Sequence, residues 1–142
     1  MTAFSAAVGL AQLKKVEASI KRHREHRLFL KKLLGDLDFR AEHDPDGDIG
    51  DALVFFLESE AKAQKVARQL FEKDKIQLKN LPDALNWHFA GNWGHIPGLN
   101  THLPQSEGLL KRAIAIQVMY RWTEADMWRI ADLVYRAIKE AV

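Results

Sequence analysis

Apolar residues recur at mixed three- and four-residue spacing from the start of the chain, at Phe4, Val8, Ala11, Leu13, Val16 and Ile20. That is the period of a helix with one buried face. Thr2 or Ser5 supplies a cap. A charged stretch over residues 21–27 follows, and Leu28, Leu30, Leu33 and Leu34 resume the pattern until Gly35. A helix should stop at such a glycine. The element is about 30 residues long, more than a globular helix usually reaches. It is expected to cross its domain or to project beyond it toward a partner.

The period then changes. Phe39 and Ala41 alternate with charges, "HDPDGDIG" carries turn chemistry, and "ALVFFL" at 52–57 is a short apolar run of buried-strand type. The two runs read as an antiparallel hairpin. Ser59 opens a helix with Ala63, Val66, Ala67 and Leu70 on one face, and Ile76 and Leu78 read as a brief strand. Residues 82–104 show no sustained period, and a long irregular loop inside a compact domain usually has a function. Residues 105–112 are predicted helical, and "AIAIQVM" places Ile114, Ile116 and Val118 on one face of a strand. "TEAD" at 123–126 is a capping-box variant with Asp126 in place of Glu. It opens a last helix with Met127, Ile130, Ala131, Val134 and Ile138 facing inward. The expected fold class is α+β, a small antiparallel sheet packed by helices with a long N-terminal helix.

Composition narrows the function classes. A chain of 142 residues, 47% hydrophobic and 28% charged, suits one globular domain rather than disorder. No run approaches the ~20 apolar residues of a membrane span, so no membrane role is expected. Neither a secretory leader nor a cysteine is present, which fits a cytoplasmic location. A net charge of +2 is too small to argue for nucleic acid.

Four stretches invite chemistry. "DPDGD" resembles a calcium loop, but an EF-hand beginning at Asp44 needs Gly and Glu where Ile49 and Phe55 stand. A hairpin turn is the expectation. "KRHREHR" at 21–27 has the cations to touch phosphates, yet Glu17 and Glu25 lie nearby, so a solvated helix face is expected. His23 and His26 lack the H-E-x-x-H zinc pattern and read as two surface histidines. "NWHFAGNWGH" at 86–95 combines tryptophan walls, amide donors and acceptors, and titratable imidazoles. It suits a polar ligand with an apolar face, such as a sugar, or else a loop pinned by two core tryptophans. No nucleophile–base–orienter set or Gly-rich phosphate loop is present in the sequence.

The opening "MTAFSAAVGLAQLKKVEASIKRHREH" resembles a segment of the DegT/DnrJ/StrS group of pyridoxal-phosphate-dependent sugar aminotransferases that reads R-M-[ST]-x-x-x-A-A-x-G-x-x-Q-L. Met1, Thr2, Ala6, Ala7, Gly9, Gln12 and Leu13 stand in register with it. The tail "LPQSEGLLKRAIAIQVMYRWTEADMWRIADLVYRAIK" is similar to the family's ending at Leu103, Pro104, Glu107, Arg112, Thr123 and Asp126. The resemblance implies one small domain over residues 35–142, the carboxy-terminal domain of a fold-type-I enzyme, joined to a connecting helix over residues 1–34. Met1 then matches an internal methionine of the family, and the Schiff-base lysine belongs to a large domain upstream. This chain alone is expected to hold no cofactor and no catalytic residue, and to be inactive; pyridoxal phosphate belongs to the full-length enzyme. The alternative is an autonomous module without catalytic activity. With the large domain missing, the N-terminal helix is expected to leave an apolar face free for homo-oligomer formation.

The sequence departs from the family in its middle loop. Where members commonly show H-Y-x-x-x-x-H, this chain reads "KNLPDALNWHFAGNWGH", and "AIAIQVM" replaces L-S-L-P. The resemblance places this loop at the mouth of the active site, which makes His88, Asn92, Trp93 and His95 the substrate-binding candidates. The altered loop suggests a sugar other than the common nucleotide-linked hexoses, with an acidic eight-carbon sugar as the expectation.

Overall fold

The computed structural model describes residues 2–79 and 89–141. Helix α1 runs Ala3–Leu34, about 48 Å at 1.5 Å per residue. Thr2 caps it by accepting a hydrogen bond from the Ser5 amide at 3.2 Å. Gly35, at φ 58°, ends it, with its amide bonded to the Lys31 carbonyl at 3.0 Å. Only the second half of α1 is buried, through His26, Arg27, Leu30 and Leu34. Residues 3–18 are exposed apart from a half-buried Ala6. The helix therefore outruns the unit it packs on. Leu28, expected inward, points to solvent, because it lies opposite the Leu30–Leu34 stripe.

The sheet has three antiparallel strands in the order β1 (Asp38–Phe39), β2 (Ala52–Phe56), β3 (Ala113–Gln117). Leu53 pairs with Ile116 and Phe55 with Ile114, and all four side chains are fully buried. Both faces of β3 are closed from water, since Ala113 and Ala115 are buried too. The brief strand expected around Ile76 and Leu78 reduces to a single bridge, Leu78 to Ile116. Its flanking bonds, the Lys79 amide to the Ala115 carbonyl (2.7 Å) and the Gln117 amide to the Gln77 carbonyl (3.0 Å), still tie the segment to the edge of β3.

Helix α2 (Glu60–Arg68) is capped by Ser59 and runs into a π-helical turn over Gln69–Lys73. Helix α3 (Pro104–Arg112) begins on a proline, whose missing N–H costs nothing in a first turn. Helix α4 (Glu124–Glu140) opens with the expected capping box between Thr123 and Asp126. It packs against α1 and α2, while α1 also rests on β2 and α2 on β3. The core between sheet and helices is closed by Leu30, Leu34, Val66, Leu70 and Val134. Each such side chain contributes roughly 1.5–3 kcal/mol when fully buried. Ile138, also expected inward, is half-buried against this core.

Candidate functional site

The irregular segment at 89–103 is built from turns that share their corner residues. A 3-10 turn spans Ala90–Asn92, with the Asn92 amide on the Phe89 carbonyl (2.9 Å) and the Trp93 amide on the Ala90 carbonyl (3.1 Å). The Ile96 amide then bonds the Trp93 carbonyl at 3.0 Å, and the Leu99 amide bonds the Ile96 carbonyl at 3.3 Å. Ile96-Pro97-Gly98-Leu99 has the residues a type II turn requires: proline presets the second position, and Gly98 takes φ 76° at the third. Gly91 serves a different need. A Cβ there would meet the Phe89 ring at 2.2 Å, so the glycine lets that ring lie against the backbone. The Asn100 side chain accepts the His102 amide at 3.0 Å and shapes the exit into α3.

Turn corners lie within about 7 Å of one another. Trp93, Ile96 and Leu99 are exposed to 36%, 42% and 39%. Among the expected substrate-side residues, Asn92 ends the 3-10 turn, Trp93 follows it, and His95 sits exposed in the next turn. His88 lies outside the described residues. Trp93 is partly exposed rather than fully buried, and Trp87 lies outside the described residues.

A polar cluster lies at the edge of the sheet. Lys79 pairs with Asp51 at the start of β2, and the Asp51 carbonyl accepts the Val118 amide at 2.9 Å. Two α1 histidines stand close by, and here the expectation of surface histidines is corrected. His26 is buried, with Nδ1 2.9 Å from the Met119 carbonyl. A carbonyl only accepts, so Nδ1 carries the proton. His23 is half-buried, edge-on to Tyr120 at 5.8 Å between ring centroids. Burial pushes its pKa below the ordinary histidine value, and the Asp51 charge opposes this in part. Among the described residues its buried Nδ1 has no hydrogen-bond partner.

The charged face of α1 is likewise less solvated than its sequence suggests. Arg27, with a side chain only 4% exposed, reaches Asp48 at 2.8 Å and Glu42 at 3.4 Å. Lys31 also pairs with Glu42, and Arg40 reaches Asp48 at 3.2 Å. The Arg24 Nε donates to the Asp48 carbonyl at 2.7 Å. The acidic loop that resembles a calcium site is thus the counter-charge that clasps α1. Inside it, the Asp44 carboxylate accepts the Gly47 amide at 2.9 Å, as in an Asx turn. One signal for this clasp was present: cations at 24, 27 and 31 recur at helical spacing, opposite a loop holding Glu42 and Asp48.

A recess of about 160 Å³ lies between the π-helical turn and the start of α4, lined in part by Lys75, Gln77, Trp122, Asp126 and Arg129. Asp126 is committed to the α4 cap, accepting from the Thr123 amide at 2.8 Å.

The described residues thus form a small antiparallel α+β unit hung on a helix that outruns it. The sequence matches the model of the DegT/DnrJ/EryC1/StrS aminotransferase family over residues 1–135, and the chain belongs to that family. Its fold is similar to that of the "putative sugar aminotransferase" Spr1654 from Streptococcus pneumoniae in its PMP form, with a TM-score of 0.76 at 14% identity. The likeness covers 100% of this chain and 36% of that one, so the chain spans about a third of the length of its structural neighbour.

Proposed function

We propose that this chain is the small-domain part of a pyridoxal-phosphate-dependent aminotransferase that acts on a keto- or aldehydo-sugar in cell-surface polysaccharide biosynthesis. The observation that carries this reading is the family match over residues 1–135, joined to a fold that repeats 36% of a sugar aminotransferase's chain. Within it, residues 1–34 form the connecting helix and 35–142 the small domain. The cytoplasm is the proposed location; among the described residues no helix is long and apolar enough to cross a membrane.

On this reading the cofactor is held by the large domain of the full-length enzyme rather than by the residues of this chain. When bound, pyridoxal phosphate supplies the electron sink for moving an amino group. The recess beside α4 does not fit it: about 160 Å³ is below the ~300 Å³ at which small-molecule pockets begin. Its lysine, Lys75, is exposed, and its carboxylate, Asp126, is bound to the Thr123 cap. Lys31, Lys62, Lys79 and Lys111 are each paired with a carboxylate near the surface. On the proposed reading no catalytic step belongs to this chain, and it is inactive alone. Asn92, Trp93 and His95, with His88 beside them in sequence, are its substrate-side residues. Incubating the chain with pyridoxal phosphate tests the point. No borohydride-sensitive visible absorbance should remain after dialysis, and a stable aldimine spectrum would overturn the reading.

A second reading is favoured by a specific feature. Phe4, Leu10 and Leu13 are exposed to 79%, 63% and 65% on the projecting part of α1. Exposed apolar side chains, here spread around the helix, favour association, so homo-oligomer formation through α1 is proposed for the chain on its own.

A further inference from the structure

The recess between the π-helical turn and the start of α4 is bordered by charges of both signs that the described residues leave unpaired. The Asp74 carboxylate is half-buried, and its Oδ2 is closed from water with no donor against it. A carboxylate withdrawn from water in this way is costly until a positive partner reaches it. Lys75 and Arg129 line the same recess, both exposed, and among the described residues neither is paired with a carboxylate. Asp126 also borders the recess, but the Thr123 amide and hydroxyl hold it at 2.8 and 2.7 Å. Those bonds lower its pKa more than the Arg129 charge does.

The lysine sits where the backbone does not favour one. The Asp74 amide bonds the Gln69 carbonyl at 3.1 Å, and the Ile76 amide bonds the Leu70 carbonyl at 2.9 Å. These bonds close the helix end and leave Lys75 at φ 58°, the one positive φ outside glycine among the described residues. Such a position favours glycine, and any side chain there is held against a steric cost. Backbone strain of this kind clusters at ligand sites.

We propose that this recess binds a free α-amino acid with a small side chain. The ligand's ammonium donates to the Asp74 carboxylate, and its carboxylate pairs with Lys75 and the forked donors of Arg129. Its side chain lies against Trp122 and Ile130, which line the recess as well. At ~30 Å³ for each water, 160 Å³ is room for about five waters. That suits a ligand of about six non-hydrogen atoms, the size of alanine.

The test titrates the whole chain, labelled with nitrogen-15, with L-alanine, sodium propionate and ethylammonium chloride at matched pH and ionic strength. L-Alanine should shift the Ile76 and Gln77 amides and the Trp122 indole N–H saturably, with a Kd in the millimolar range. Propionate and ethylammonium, each carrying one of the two charges, should bind at least about tenfold more weakly. Lys75→Gly relieves the strained backbone, so it should raise the unfolding midpoint while weakening the alanine response several-fold. Arg129→Gln should weaken that response at an unchanged midpoint. Propionate or ethylammonium binding as tightly as alanine would overturn the amino-acid assignment, because one charge would then suffice. A recess that none of the three fills, or an alanine response that Lys75→Gly leaves intact, would overturn the site itself.

Discussion

Arg27 and Asp48 meet at 2.8 Å, and this contact fastens the long helix to the hairpin loop. Arg27 is almost wholly buried, while the Asp48 and Glu42 side chains keep 23% and 17% of their exposure. Breaking a buried pair by removing one partner costs about 3–5 kcal/mol. Since both carboxylates can recover some water, Arg27→Met should cost about 3 kcal/mol, the lower end. Urea unfolding followed by circular dichroism measures it, and a loss no larger than that of a surface Lys→Met control would contradict the clasp.

The same clasp should be acid-sensitive. The Lys31 hydrogen bond holds the Glu42 pKa below its ordinary value despite partial burial, and Arg27 adds to this. For Asp48, burial raises the pKa, but the Gly50 amide and Arg27 outweigh it, leaving the value lowered. A carboxyl with a lower pKa when folded releases its proton more readily in that state. The unfolded chain then binds more protons, so stability is full above the ordinary carboxylate range and falls as pH drops through it. Unfolding midpoints measured from neutral pH into that range should fall less steeply in Glu42→Gln and Asp48→Asn than in the wild type.

Gly50 should tolerate no side chain. Its φ is 81°, and a Cβ would stand 2.9 Å from the Arg24 backbone nitrogen. Strain of this kind costs roughly 1–3 kcal/mol, and the clash adds to it. Gly50→Ala should therefore lower stability by about 2 kcal/mol or more, whereas Gly94→Ala, where among the described residues nothing lies within 4 Å, should be close to neutral. Comparing the two by thermal unfolding separates a required glycine from a permissive one.

The cap of α4 gives a smaller effect. The Thr123 hydroxyl accepts the Asp126 amide at 3.2 Å. Thr123→Ala should cost about 1 kcal/mol, and Thr123→Ser should restore most of it. Equal loss in both would mean that the methyl group rather than the hydroxyl matters.

Association through α1, as proposed, should be concentration-dependent. Light scattering is expected to give a mass above that of one chain, and Phe4→Glu with Leu13→Glu to return it to the monomer at an unchanged unfolding midpoint. A wild-type chain that stays monomeric at high concentration would count against that proposal.

The helices, the hairpin and the capping box were legible in the residues, because each is set by neighbours a few positions apart. Apolar spacing marks α2 and α4, Gly35 marks the end of α1, and Thr123 with Asp126 marks a helix start. The family was legible too, from the opening and closing motifs. Even the Pro97-Gly98 turn carried its signal, since that dipeptide is a turn marker. What helical spacing leaves open is which charged positions lose their water. Residues 21–27 place cations and histidines around the whole circumference of α1, and periodicity treats Lys21 and Arg27 alike. Only the approach of the 42–50 loop and the 119–120 turn distinguishes them: it buries Arg27 against Glu42 and Asp48, and His26 against the Met119 carbonyl. The exposure of Trp93, Ile96 and Leu99 was decided in the same way, by a run of turns that matches no regular element. Local rules determined the elements of this protein. Contacts between distant segments decided which charges are buried and which apolar side chains are exposed, because burial depends on what the fold places opposite each side chain.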